Sequence, residues 1–253
     1  MWTTGGRTLF WREVQRYVRR PKNTFMPPAI TNVLYFVVFG VVLGGRIDEI
    51  AGFSYVLFIL PGLIVLGTVS NAFENASFSI FHGRWNEYIH EPLTSPLSYT
   101  EIVVAYVGAS ALRGLLVGII IAVVGRLFTP IGVEHALVLV TSMVVISVLF
   151  AGLGVIGGLW ARDFDDLTVM TQFILRPLVF FGAVFYTLAM LPPIWQYVSL
   201  LNPMVYMVDS VRYGMLGYAD VTPTYSLLVL TAAAIAVLAL DVWLVRRGFG
   251  LTD

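Results

Sequence analysis

The chain has 253 residues, of which 58% are hydrophobic and only 12% are charged, and its formal net charge is zero. A soluble domain would carry about twice that fraction of charged residues, so the composition predicts an integral membrane protein. The zero net charge offers no basic surface for nucleic acid. Because the sequence contains no cysteine, disulfides and thiolate chemistry are excluded.

The first polar segment, residues 7–22, reads RTLFWREVQRYVRRPK and is too polar for a cleaved signal peptide. Phe10, Val14, Tyr17 and Val18 recur at helical spacing, and arginines occupy much of the remaining surface. The pattern predicts an amphipathic helix in the membrane interface, with its arginines near lipid phosphates. An alternative is that the arginines act only as a topology signal.

Six apolar stretches follow, each close to the roughly 20 residues that a membrane-spanning helix needs. They cover residues 27–45, 53–78, 101–127, 136–160, 168–189 and 224–245. The prediction is therefore an all-α integral membrane protein with six transmembrane helices. Because no linker or internal repeat divides the chain, residues 1–253 are expected to form one domain.

Three of these stretches contain glycines at small-xxx-small spacing, in GVVLG (40–44), GLLVG (114–118) and GVIGG (154–158). Such glycines allow the backbones of two membrane helices to approach closely. Glycine is also common in membrane helices generally, so the motifs alone do not decide which helices touch.

Basic residues cluster before the first predicted span and after the last, which favours a cytoplasmic location for both termini. They are Arg7, Arg12, Arg16, Arg19, Arg20 and Lys22 at one end, and Arg246 and Arg247 at the other. If both termini lie on the same side of the membrane, the number of spans must be even, and the predicted number of six agrees with this. Residues 79–100 and 161–167 would then face the cytoplasm, and residues 190–223 would face outward.

A polar segment, residues 81–98, separates the second predicted span from the third. Its hydrophobic side chains can share one face of a short helix, with acids on another face, and a proline is expected to end that helix. The residues concerned are Trp85, Tyr88 and Ile89, then Glu87 and Glu91, and then Pro92. A short amphipathic helix suits docking into a groove of a cytoplasmic partner. An ordinary loop with an interfacial tryptophan is an equal alternative.

The predicted outer segment, residues 188–220, is long for a loop and still apolar. Asn202 can cap a helix that has Pro203 in its first turn. Asp209 and Arg212 are three residues apart, so they can pair on one helix face. We expect two short helices at the outer leaflet or dipping into it. A lid without contact to any cargo is the alternative.

Charged residues within predicted spans mark either a functional pathway or structural pairs. They are Glu74, Arg113, Arg176 and Asp241. Glu74 and Asp241 lie near predicted cytoplasmic ends and are expected to reach water. Arg113 lies near the middle of its span, and Arg176 precedes a proline, so each needs a partner or a wet cavity. Contact with a transported molecule and structural pairing both stay open for the two arginines.

The sequence lacks motifs for catalysis. Lys22 is the only lysine and follows a proline, so a GxxxxGK[ST] phosphate-binding loop cannot form. His82, His90 and His135 form no HExxH motif and have no cysteine with which to build a zinc site. No GxSxG motif is present. We therefore expect no enzyme activity, metal or cofactor in this chain.

Together these features resemble the permease subunits of type-2 ATP-binding-cassette exporters, a class that includes drug, polysaccharide and nodulation-factor export permeases. The resemblance runs nearly end to end, and LNPMVYMVDSVRYG (201–214) is its most specific block. That block lies within the longer segment GAVFYTLAMLPPIWQYVSLLNPMVYMVDSVRYGMLG (182–217). The other segments that carry the resemblance are PPAITNVLYFVVFG (27–40), GFSYVLFILPGLI (52–64), EPLTSPLS (91–98), DFDDLTVM (163–170) and RRGFGL (246–251).

The resemblance implies an interfacial N-terminal helix, six membrane helices, a cytoplasmic coupling helix within 81–98, and short reentrant helices before the last span. It implies coupling residues Arg84, Trp85, Glu87, Glu91, Pro92 and Leu93. It also implies a characteristic outer motif that contains Asn202, Pro203, Tyr206, Asp209 and Arg212. An arginine at position 176 departs from the uncharged residue that the resemblance leads us to expect.

The implied function is export through the cell membrane of an amphipathic, lipid-linked or glycan-type cargo. Two permease subunits would pair within the lipid, and each would dock on a separate ATPase subunit that holds ATP and Mg. A non-transporting scaffold or regulatory subunit is the first alternative. An ion-coupled carrier is the second, although the sequence offers no chain of carboxylates near the middle of the membrane.

Overall fold

The computed structural model describes residues 3–43 and 49–251, and most of them are helical. The α-helices are α1 Thr4–Val18, α2 Pro21–Tyr35, α3 Tyr55–Trp85, α4 His90–Thr94, α5 Tyr99–Gly125, α6 Ala136–Trp160, α7 Phe164–Val169, α8 Arg176–Phe180, α9 Pro193–Ser199, α10 Pro203–Leu216 and α11 Pro223–Arg247. The π-helical segment Phe36–Leu43 continues α2. A second π-helical segment, Met170–Leu175, joins α7 to α8. A short antiparallel hairpin pairs β1 Glu49–Ile50 with β2 Phe53–Ser54.

Four of the described helices are long and apolar enough to cross a membrane, namely α3, α5, α6 and α11. They coincide with four of the six predicted spans, although α3 continues to Trp85 instead of ending at residue 78. The first predicted span corresponds to α2 and its π-helical continuation. The fifth corresponds to Phe164–Phe180, so its predicted final residues, 181–189, lie beyond the helix. The count of six spans stays a prediction.

The two ends of the helical bundle are formed by different segments of the chain. The terminal end, defined here by residues 3–6, 86–98, 161–163 and 248–251, carries both ends of the described chain. There the backbone and side chain of Thr3 donate to Glu101 at the start of α5, at 2.8 and 2.6 Å. The distal end, defined by residues 49–54, 126–135 and 181–222, is held by contacts such as the His135 N–H to the Gly214 carbonyl at 2.9 Å.

Helix α3 occupies the centre of the bundle and packs against both α5 and α6. Glycines make these contacts close. A Cβ atom on Gly114 of α5 would lie 2.7 Å from the Thr68 carbonyl oxygen, and one on Gly154 of α6 would lie 2.5 Å from that of Phe73. The GLLVG and GVIGG motifs are therefore helix-packing sites. Gly44 of the third motif lies outside the described residues.

Candidate functional site

The segment after α3 turns sharply before it forms a helix. Glu87 has a positive φ of 62°, which ends α3, and α4 then begins at His90. The predicted helix over Trp85 to Glu91 is therefore wrong. Pro92 lies inside α4 and does not end it, because a proline in a first helical turn has no N–H that needs an intrahelical partner.

The residues predicted to couple to a partner divide between exposed and buried positions. Trp85 is 58% exposed, and Glu87 and Glu91 are exposed as well. Pro92 is buried, and Leu93 packs against the core. The surface that this loop presents to solvent thus contains one large aromatic ring and two carboxylates.

Arg84 faces the bundle. Its Nη1 donates to the carbonyl oxygens of Gly158 and Ala161, both at 2.8 Å. A guanidinium at this position satisfies carbonyls that the end of α6 leaves without a helical partner. The structure therefore gives Arg84 a contact that fixes α3 to α6, and docking of its guanidinium on a partner would have to displace that contact.

Helix α1 lies against α5, and its amphipathic character agrees with the sequence pattern. Val14 and Tyr17 are buried, whereas Val18 is 50% exposed and does not belong to the buried face. The buried face also contains a carboxylate, Glu13, which is only 4% exposed. Glu13 lies four residues after Leu9 and four before Tyr17. Because residues i and i+4 share a helix face, this spacing could have placed Glu13 on the buried face from the sequence alone.

Glu13 is the centre of a polar cluster between α1 and α3. Its Oε2 accepts a short hydrogen bond from the Ser79 hydroxyl of α3. Its Oε1 lies 3.2 Å from Arg12 Nη2, and its Oε2 lies 3.5 Å from Arg16 Nε. Arg12 also lies 3.6 Å from Glu91. Helix α1 is therefore joined both to the centre of the bundle and to the exposed loop.

Arg16 extends these contacts into the membrane-spanning part of the molecule. Its Nη2 donates to the carbonyl oxygen and Oδ1 of Asn75, at 3.2 and 3.1 Å. Arg113 of α5 donates to the same Oδ1 at 3.1 Å and to Asn71 Oδ1 at 3.3 Å. A chain of polar contacts thus runs from Glu91 to Arg113.

A cleft of about 530 Å³ opens beside this chain of contacts, between α2, α3, α5 and the helix that contains the second π-helical segment. The structure brings Glu74, Arg113 and Arg176 together in its lining. Glu74 is 11 residues from the end of α3, or about 16 Å along the helix. Glu74 therefore does not lie at a helix end as expected, and water would reach it through the shared polar cleft.

Irregular backbone borders the cleft. Tyr35 precedes the first π-helical segment and Arg176 follows the second, and both line the cleft. Pro27 and Pro28 also line it, and each removes an N–H from α2. Asn32 donates from Nδ2 to the Pro28 carbonyl at 2.8 Å, while its buried Oδ1 has no hydrogen-bond partner among the described residues. Such backbone is stable at membrane depth where it lines a polar cavity.

Four aromatic rings connect the two walls of the cleft towards the distal end. Tyr35 and Phe180 line the cleft from opposite walls. Tyr35 contacts Phe39 at a centroid distance of 6.1 Å, Phe39 stacks on Phe185 at 4.6 Å, and Phe185 stacks on Phe180 at 6.0 Å. This aromatic bridge, defined by these four residues, ties α2 and its continuation to α8.

In the predicted outer motif, the cap at Asn202 is confirmed. Its Oδ1 accepts from the Met204 N–H at 3.0 Å, and Pro203 is the first residue of α10. Its Nδ2 also donates to the Leu178 carbonyl at 2.7 Å. Tyr206 donates to the Leu200 carbonyl at 2.7 Å. The beginning of α10 is therefore tied to α8 and α9.

Asp209 and Arg212 lie close enough for their charges to interact, but they form no ion pair within 4.0 Å, because each side chain has other hydrogen-bond partners. Asp209 accepts from the backbone N–H groups of Asp220 and Val221, at 2.7 and 2.8 Å. Burial still raises the pKa of Asp209 to about 6. Arg212 is fully buried, donates to the Ala183 carbonyl at 2.7 Å, and lies 4.1 Å above the Phe58 ring.

Asp241 does not reach water, contrary to the expectation from the sequence. It is fully buried, and neither carboxyl oxygen has a hydrogen-bond partner among the described residues. A Cβ atom on Gly152 of α6 would lie 2.9 Å from its Oδ2. The side chain therefore occupies the contact between α11 and α6, although its position near the end of α11 had suggested access to solvent.

The ABC-2 type transporter family matches residues 5–216 of the chain. The inner membrane transport permease YadH of Escherichia coli K12 is 38% identical over 245 residues, which are 97% of this chain and 96% of the relative. Nodulation protein J of Rhizobium leguminosarum bv. viciae is 26% identical over 193 residues, or 73% of this chain and 72% of the relative. Another Nodulation protein J, from Rhizobium meliloti strain 1021, is 23% identical over 193 residues, or 73% of this chain and 71% of the relative.

The protein belongs to the ABC-2 type transporter family. It is a multi-pass membrane protein and the membrane component of a transporter, whereas nucleotide binding belongs to a partner ATP-binding subunit. The family assignment confirms the resemblance drawn from the sequence. The individual roles of the site residues stay predictions.

Proposed function

We propose that this chain is the membrane subunit of an exporter in the inner membrane, driven by a separate ATPase subunit that binds ATP and Mg. Two copies of the chain pair, each crosses the membrane six times, and the terminal end faces the cytoplasm. The cargo is an amphipathic, lipid-linked or glycan-type compound that moves outward. The surface formed by Trp85, Glu87 and Glu91 docks on the ATPase and acts as the coupling element.

The observation that carries this proposal is the chain of polar contacts from the exposed loop to the cleft. A partner that moves Glu91 acts on Arg12 and therefore on α1. Helix α1 acts in turn on Asn75 and Arg113 through Arg16. Contiguous hydrogen bonds and ion pairs between packed helices are a physical route by which a change at one site alters another.

Two further observations support the orientation and location. The described basic residues Arg7, Arg12, Arg16, Arg19, Arg20 and Lys22 belong to α1 or adjoin it, and this excess of positive charge is typical of a cytoplasmic surface. YadH, the Escherichia coli relative, carries the name of an inner membrane transport permease.

The test is purification of the full-length tagged chain from its native membrane in a mild detergent, followed by mass measurement of the intact complex. We expect two copies of the chain with two copies of a soluble ATPase. Glu87→Arg should weaken that association, because reversing a charge at a docking surface lowers complementarity. Glu134→Arg changes an exposed acid at the distal end and is the matched control.

Two results would contradict the proposal. A chain that purifies alone even with nucleotide present would favour an ion-coupled carrier. A complex that forms but whose ATPase activity responds to no cargo would favour a scaffold or regulatory subunit.

A further inference from the structure

The cleft contains cationic groups that no described carboxylate neutralises by contact. Among the described residues, the ion pairs within 4.0 Å join Arg12 to Glu13, Arg12 to Glu91, and Arg16 to Glu13. Arg113 and Arg176 take part in none of them. With two arginines and one glutamate, the charged lining of the cleft has a formal net charge of +1.

Arg113 is oriented by amide groups and contacts no described carboxylate. Its two Nη atoms donate to the amide oxygens of Asn71 and Asn75, which are uncharged. Its buried Nε has no acceptor among the described residues. An arginine at membrane depth normally pairs with an acid or lies in a wet cavity, because an isolated charge there is costly. Here the surrounding amides hold the guanidinium beside open space.

Arg176 completes the site from the opposite wall. It is exposed and lines the same cleft, and its guanidinium donates no hydrogen bond to any described residue, although its backbone N–H donates to the Thr171 carbonyl. It follows the second π-helical segment, whose Phe173 and Ile174 are 75% and 56% exposed. On the other wall, Ile30 and Leu34 of α2 are 54% and 58% exposed. Apolar surfaces thus flank a cationic cleft.

We propose that this cleft binds the phosphate-class anionic group of an amphipathic molecule, with Arg113 and Arg176 as its guanidinium partners. Guanidinium groups match the geometry of phosphate oxygens, and the cleft volume of about 530 Å³ lies in the range of ligand sites. Glu74 opposes the bound anion and keeps its affinity low enough for release. The inference rests on the proposed transport function, because it names the class of cargo.

The test measures binding to the purified full-length chain in a neutral maltoside detergent. Radiolabelled octyl phosphate is the anionic probe, octyltrimethylammonium is the cationic probe, and equilibrium dialysis gives the dissociation constants. Arg176→Gln should weaken octyl phosphate binding by about tenfold, the value of one charge-assisted hydrogen bond. Glu74→Gln should strengthen it, because the opposing charge is removed. Arg126→Gln, at an exposed arginine of the distal end, should leave it unchanged.

The opposite signs of the two variants separate ligand contact from a structural role, since damage to the fold would weaken binding in both. Competition by inorganic phosphate would identify a free phosphate ester as the source of the anion. Lack of competition, with octyl phosphate still bound, would identify a lipid headgroup. Equal binding of the cationic probe, no binding of octyl phosphate, or an unchanged Arg176→Gln variant would overturn the proposal.

This assay needs no ATPase partner. Failure of anion binding in a chain that still purifies with its ATPase would reject the site alone. Retained anion binding in a chain without an ATPase partner would reject the exporter mechanism alone.

Discussion

Among single residues, Glu13 joins more parts of the molecule than its place on an interfacial helix suggests. It binds Ser79 of the central helix and lies beside two arginines of its own helix. One of these arginines reaches Glu91 and the other reaches Asn75. A buried carboxylate that offsets two guanidinium groups is costly to neutralise, because both cations then lose their charge partner.

Glu13→Gln should therefore lower the stability of the protein by about 1–3 kcal/mol. The glutamine keeps an acceptor for Ser79 but removes the charge beside Arg12 and Arg16. For a chain of this length, that loss lowers the melting temperature by about 2–4 °C for each kcal/mol. The matched control is Glu91→Gln, which breaks one exposed ion pair and should cost less than about 1 kcal/mol. Equal melting temperatures of the two variants in detergent would contradict the role given to Glu13.

Asp209 should make stability depend on pH. Burial raises its pKa from an ordinary value of 3.8 to about 6, so the folded protein keeps a proton that the unfolded chain has released between these values. Its contribution to stability is full below the unfolded pKa and is lost as pH rises through about 6. Asp209→Asn should remove this decline in melting temperature, whereas the exposed control Asp165→Asn should keep it. An unchanged pH dependence in Asp209→Asn would show that another group causes it.

The spacing of Asp209 and Arg212 correctly predicted that they lie on one helix, but it could not predict their partners. Those partners are backbone groups of Ala183, Asp220 and Val221, which come from segments on both sides of α10. Likewise, the sequence showed that Arg113 needs compensation, yet the amides that supply it belong to α3. Pair spacing within one helix carries no information about contacts between distant segments.

At the level of elements, apolar length was sufficient to predict the four continuous spans, because α3, α5, α6 and α11 bury or present uninterrupted hydrophobic surface. It was not sufficient for the two helices with π-helical segments. Both helices border the polar cleft, and that cleft is formed by helices that are distant in sequence. Glycine spacing in α5 and α6 predicted close packing but not that α3 is the common partner.

A methyl group added at Gly154 should weaken the contact between α3 and α6. A Cβ there would lie 2.5 Å from the Phe73 carbonyl oxygen and 2.8 Å from the Ala76 Cβ, so the helices would have to move apart. Gly154→Ala should cost about 1–3 kcal/mol of stability, measured as a lower melting temperature in detergent. Gly132→Ala is the control, because the nearest atom to its added Cβ lies 3.7 Å away. Similar melting temperatures of the two variants would contradict the close packing.

For the whole molecule, the decisive property is which end of the cleft reaches water. Along α2 the cleft runs from Asn23, in the first turn of the helix, to Tyr35. At Tyr35 the aromatic bridge joins its walls. The aromatic bridge therefore predicts a pathway that is closed towards the distal end and reaches water towards the terminal end. Export would require the bridge to separate while the terminal end closes.

Because the chain has no cysteine, a single introduced thiol can test this arrangement in membrane vesicles. Asn86→Cys at the terminal end should react with a membrane-impermeant maleimide only from the cytoplasmic side, and Glu134→Cys at the distal end only from the outside. Ser70→Cys, which lines the cleft, should react from the cytoplasmic side alone. Adding Phe185→Ala should make it reactive from both sides, because the Phe39–Phe185 stack that joins the two walls is lost.

The two end positions fix the orientation independently of the cleft, so the results for Ser70→Cys can be interpreted by themselves. Reaction of Ser70→Cys from the outside in the parent chain would mean that the bridge does not close the pathway. No reaction from either side would mean that the cleft excludes water, and its two arginines would then need a partner within the paired subunits. Reaction from the cytoplasmic side that Phe185→Ala leaves unchanged would move the barrier from the aromatic bridge to the helices around α10.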